Sequence, residues 1–166
     1  MGEYENLLRQ YKHIPVVECE LYENTGLLGA YRNGHVLLDK HQQTNSKKVV
    51  VYEEFMHHEA TTGIILDENR IENKKQENYT RQLTYKHFLG WETIIYCWNM
   101  GFTYYHEVAE FLNITEEFII EAIEFYKSKY GTMYKHKDYY IFLGSVIEIY
   151  KEDTSNQLYD AHYFSA

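Results

Sequence analysis

The sequence predicts an α+β fold, mainly helical, with a small sheet and a C-terminal helical and extended region. Three observations carry this. Apolar residues recur at helical spacing through several stretches. An Asn33-Gly34 pair, the strongest short hairpin signal, sits between two apolar runs. Aromatic and β-branched runs at 139–143 and 146–150 flank Gly144-Ser145.

Size and composition limit the possibilities. A chain of 166 residues with 45% hydrophobic and 25% charged residues suits one domain with a real core. That domain is expected over 1–150, as a core in 1–100 and a helical and strand extension in 101–150, followed by a polar tail over 151–166. The formal charge of -9 opposes broad attraction to nucleic acid or anionic membrane. With only Cys19 and Cys97, no disulfide scaffold is indicated and a reducing cytoplasm fits best. The first ten residues are polar and acidic, unlike a signal peptide, and no run reaches the roughly 18 apolar residues of a membrane span.

Taken in order, Tyr4, Leu7, Leu8 and Tyr11 predict a short amphipathic helix over 3–12, ended by Pro15. Residues 16–22 read as an extended segment or a second short turn, 27–39 as the hairpin, and the polar run 40–48 as a surface loop. A helix follows over about 51–61. Val49, Val50 and Val51 either extend a strand before it or form its buried first turn, and Thr61-Thr62-Gly63 is its stop. Residues 64–66 read as a short extended piece, and 67–73, charged and asparagine-rich, as a loop.

Helical spacing returns over 74–88, with Tyr79, Leu83 and His87 on one side and Gln76, Glu77, Thr80, Arg81 and Thr84 around another. Residues 91–98 predict a core helix through Ile94, Ile95 and Trp98. A segment over 104–112 leads through Asn113 to a helix capped by Thr115, which buries Phe118, Ala122, Phe125 and Tyr126 and stops at Gly131. In outline, 104–126 is a helix-turn-helix. Its second helix carries Glu116, Glu117, Glu121 and Glu124, poor chemistry for phosphate contacts, so the unit reads as packing or a protein-docking surface.

The stretch Glu53-Glu54-Phe55-Met56-His57 carries the chemistry. On a helix, Glu53 and His57 fall one turn apart on one face with Glu54 beside them. His-Glu-x-x-His motifs use this spacing to hold zinc through two ligands, with the intervening acid acting on water. The first histidine is a glutamate here, and taken alone the pair equally describes a solvated face with an intrahelical Glu-His contact. Glu77, at the start of another helix, offers a carboxylate as the third protein ligand and leaves one position for water. The rival assignment pairs Glu54 with His58, which otherwise points about 100° away from His57 and reads as a surface or supporting histidine.

Beyond the motif, the chain resembles the ImmA/IrrE family of metallopeptidases, particularly short phage and mobile-element members from Gram-positive bacteria. The resemblance lies in Gly29-Ala30-Tyr31 with His35-Val36-Leu37-Leu38-Asp39, in the stretch from Tyr52 through Glu53, Glu54 and His57 to Gly63, and in Asn73-Lys74-Lys75-Gln76-Glu77. It continues through Tyr105-His106-Glu107-Val108-Ala109-Glu110-Phe111-Leu112, Thr115-Glu116-Glu117-Phe118 and Tyr126-Lys127-Ser128-Lys129-Tyr130-Gly131. Such members share the leading glutamate but have glycine where this chain has Met56.

The resemblance implies a zincin-like fold with an active helix, a small curved sheet and packed helices. It implies an endopeptidase in the cytoplasm of a bacterial host that cleaves or inactivates a phage-type transcriptional repressor. On that reading Glu53, His57 and Glu77 hold Zn2+, and Glu54 is the general base toward the bound water. Two carboxylates and one imidazole carry one more negative charge than a set of two histidines and one glutamate. The ion is then a weaker Lewis acid, and the harder ligands also suit Mn2+ or another divalent ion. The alternative is a weak or inactive peptidase-like protein that binds a repressor or other protein partner.

Overall fold

The computed structural model describes residues 2–62 and 70–153, with side chains over 2–60 and 74–153. Gly63, the expected extended piece at 64–66, residues 67–69 and the tail beyond 153 lie outside the described residues. The elements run α1 (Glu3–Gln10), β1 (Val16–Cys19), α2 (Leu21–Thr25), β2 (Gly29–Arg32), β3 (His35–Asp39), α3 (Thr44–Thr62) and α4 (Arg70–Leu89). They continue through α5 (Trp91–Asn99), α6 (Tyr105–Leu112), α7 (Glu116–Tyr130), β4 (Met133–His136), β5 (Tyr139–Leu143) and β6 (Ile147–Lys151). Among the described residues no helix is long and apolar enough to cross a membrane.

The strands form two sheets where the sequence reading expected one. The first has the order β1-β3-β2, with β1 parallel and β2 antiparallel to β3. Its hairpin turns at Asn33 and Gly34, with φ of 50° and 80°, the left-handed pair that matches strand twist. The second sheet is an antiparallel β4-β5-β6 meander. Strand β4 was not predicted, because Met133 to His136 has little apolar periodicity and is recruited by pairing with β5.

Helix α3 is the element around which the N-terminal part is built, packing against α4, α1, β2 and β3. It begins at Thr44, well before the expected residue 51, so most of the predicted loop at 40–48 is helix and loop composition is overridden by tertiary partners. Lys48 is the clearest case. It is 1% exposed, and its Nζ donates to Glu3 Oε2 at 2.5 Å and to the Leu112 carbonyl at 2.8 Å, joining three helices. Val49, Val51, Phe55 and Met56 are buried behind it, and the helix runs unbroken through Met56.

Helix α4 also starts earlier than expected and presents a different face. Thr80, Thr84, Tyr85, Phe88 and Leu89 are buried, whereas Tyr79 is exposed. The two threonines go inward at little cost because each hydroxyl donates back along the helix, Thr80 to the Glu77 carbonyl and Thr84 to the Thr80 carbonyl, both at 3.0 Å. Reading polarity as exposure therefore rotates the predicted stripe. Helix α7 follows expectation except at Phe125, which is half-buried: Thr115 Oγ1 accepts from Phe118 N–H, and Phe118, Ala122 and Tyr126 are buried with Ile119 and Ile123.

Candidate metal centre

Helical spacing sets the first half of the centre, since Glu53 and His57 lie one turn apart in the middle of α3. Packing of α4 on α3 provides the second half. Glu77 sits about two turns into α4, not at its start. One ligand atom each from Glu53, His57 and Glu77 lie within 4.8 Å of one another. The His57 Nε2 to Glu77 Oε2 separation is 3.5 Å. Ligands on tetrahedral Zn2+ lie about 3.4 Å apart for bonds near 2.1 Å. Glu77 is 56% exposed and can swing to close what remains, so the donor set fits a divalent cation.

The surroundings add residues that the motif does not contain. Arg81, one turn beyond Glu77, places Nε 3.5 Å from Glu53 Oε1 and offsets part of the charge that glutamate brings in place of histidine. Thr80 Oγ1 lies 3.4 Å from His57 Nε2. Its single proton goes to the Glu77 carbonyl, so toward the imidazole it is an acceptor and the facing nitrogen donates. A cation taking Nε2 would require the tautomer that carries the proton on Nδ1.

Glu54 lies beside this group, on the flank of α3 that faces β2. The Tyr31 backbone N–H donates to its carboxylate. Gly29 is required here, because a Cβ would overlap Val50 Cγ1 and come within 3.0 Å of Glu54 Oε1. Burial, then the Glu53 and Glu77 carboxylates, push the Glu54 pKa from 4.5 up to about 8. Burial also raises Glu53, while Arg81 and His57 pull it down. A site with this much concentrated negative charge favours an incoming cation and a proton on Glu54.

The rival pairing of Glu54 with His58 is not what the structure assembles. His58 Nδ1 meets Tyr31 Oη at 2.8 Å, and His58 groups with His13 and Glu59. Among the residues missed from sequence, Arg81 had a local signal, since Glu77 and Arg81 form a favourable i, i+4 pair. Gly29 and Tyr31 stood out only as part of the family resemblance, because their relation to Glu54 exists only across the α3–β2 contact.

Comparison of the chain with protein-family models, with curated proteins and with solved structures returned no match.

Proposed function

We propose that the chain is a metal-dependent endopeptidase of the ImmA/IrrE type, acting in the cytoplasm of a bacterial host on a phage-type transcriptional repressor. The observation that carries the reading is the convergence of Glu53, His57 and Glu77 from two helices, with Glu54 at their side. The ordered sequence resemblance supports the family and the substrate class.

Glu53, His57 and Glu77 hold the ion, Zn2+ or Mn2+, which supplies Lewis-acid polarisation of a carbonyl and acidification of water. Glu54 accepts a proton as water adds to the scissile carbonyl and returns it to the departing amine, so one peptide bond is exchanged for a carboxylate and an amine. The Glu53 and Glu77 charges that help raise its pKa are the ones a bound cation would offset, which would free the carboxylate to accept that proton. Tyr31 N–H and the close approach of Gly29 fix the carboxyl in place. Arg81 limits the charge excess of the ligand set.

The test uses purified chain, the repressor encoded beside its gene, and Zn2+ or Mn2+. Cleavage at one position, followed by mass spectrometry, is expected for the native chain; Glu54→Gln should keep the metal and lose cleavage. Intact repressor with both metals would sink the peptidase reading. The second reading, a weak or inactive peptidase-like protein that binds the repressor, draws on the Glu53 carboxylate standing where imidazole would make the ion a stronger acid.

A further inference from the structure

A second group of ligating side chains lies on another flank of α3. His13, His58 and Glu59 each offer one ligand atom, all within 4.8 Å of one another. His58 and Glu59 come from the C-terminal part of α3, and His13 from the segment joining α1 to β1. His13 Nε2 is 3.5 Å from Glu59 Oε1, and the His13 and His58 rings meet edge to face with centroids 5.9 Å apart.

Both histidines are held in place. On one side of His13, Tyr11 stacks on Phe55 at 4.6 Å; on the other, Ile14 is buried and the Pro15 carbonyl accepts from Val36 N–H. His58 is oriented by its 2.8 Å hydrogen bond between Nδ1 and Tyr31 Oη. An oxygen partner on one ring nitrogen is how proteins aim the other at a metal, fixing tautomer and ring angle together.

We propose that His13, His58 and Glu59 form a second divalent-cation site, separate from Glu53, His57 and Glu77. Two imidazoles and one carboxylate make it the softer of the two sites, so it takes Zn2+ in preference to Mn2+ or Mg2+. The ion ties the α1–β1 segment to α3. Tyr31 joins the two centres, since its hydroxyl meets His58 and its N–H holds Glu54. The proposal stands on its own residues and does not depend on the peptidase reading.

The experiment is a calorimetric titration of the chelator-stripped full chain with Zn2+ alone. Two bound ions are expected, of which Glu77→Ala removes one and His13→Ala the other. Both altered side chains are more than half exposed, so the fold is not at stake. Tyr31→Phe should weaken the His13-dependent ion roughly tenfold to a hundredfold. Nitrogen-15 spectra of the imidazoles should show His13 and His58 shifting as Zn2+ is added to Glu77→Ala. A single ion, lost in Glu77→Ala and indifferent to His13→Ala, overturns the second site and leaves the first standing. A single ion that follows His13 and not Glu77 supports the second site and removes the first.

Discussion

Replacing Glu54 with glutamine should flatten how stability responds to pH in chain stripped of metal. The Glu54 carboxyl is raised from 4.5 to about 8 by burial and by its neighbours Glu53 and Glu77. Because the folded pKa lies above the unfolded one, the native chain between these pH values keeps a proton that the unfolded chain has released. The stability this contributes is fully present below pH 4.5 and is lost as pH rises to about 8. At about 1.36 kcal/mol per pH unit the ceiling is roughly 5 kcal/mol, and residual solvent access to the carboxyl lowers the expected loss to about 2–4 kcal/mol.

Glutamine keeps the shape and an oxygen for Tyr31 N–H but has no proton to release. Urea unfolding in chelator at pH 5, 6.5 and 8 should therefore show native stability falling across the series. Glu54→Gln should fall much less, since it keeps the contribution of Glu53, whose pKa is raised by the same burial, but loses that of Glu54. Parallel pH curves for the two proteins would refute the buried, charge-crowded account of Glu54.

Three other substitutions probe the same scaffold. Gly29→Ala forces Val50 and the Glu54 carboxylate away from β2, and a denaturant melt should register a loss of about 1–3 kcal/mol from overpacking. Lys48→Met should also cost about 1–3 kcal/mol by thermal or urea unfolding. Its partner Glu3 is 54% exposed and stays hydrated, so the Leu112 carbonyl is the group left without its donor. Arg81→Gln removes the cation facing Glu53, and calorimetry should find Mn2+ bound roughly tenfold more tightly at Glu53, His57 and Glu77. Unchanged affinity would mean that solvent already screens Arg81 from the centre.

Short-range chemistry explains which elements were readable from sequence. The Asn33-Gly34 turn, the Thr115 cap and the αL residue Asn113 are each decided by a few neighbouring backbone groups. The placement of Glu53 and His57 on one helical face is equally local, following from 3.6 residues per turn once α3 is a helix. The early start of α3 was hidden because Lys48 looks solvent-bound until Glu3 and Leu112 arrive from distant parts of the chain. The inward face of α4 was hidden because Thr80 and Thr84 satisfy themselves through carbonyls that exist only in the helix.

By itself, then, the sequence determined a mainly helical chain with a hairpin and two candidate ligands, Glu53 and His57, one turn apart on one helix, since periodicity and turn chemistry act over a few residues. Only the tertiary structure decided that Glu77 meets Glu53 and His57, that Arg81 answers the extra carboxylate, and that His13 comes to His58 and Glu59. Those meetings depend on how α4 and the α1–β1 segment dock on α3. Docking is driven by burial of apolar surface, a non-directional force whose outcome no local pattern encodes.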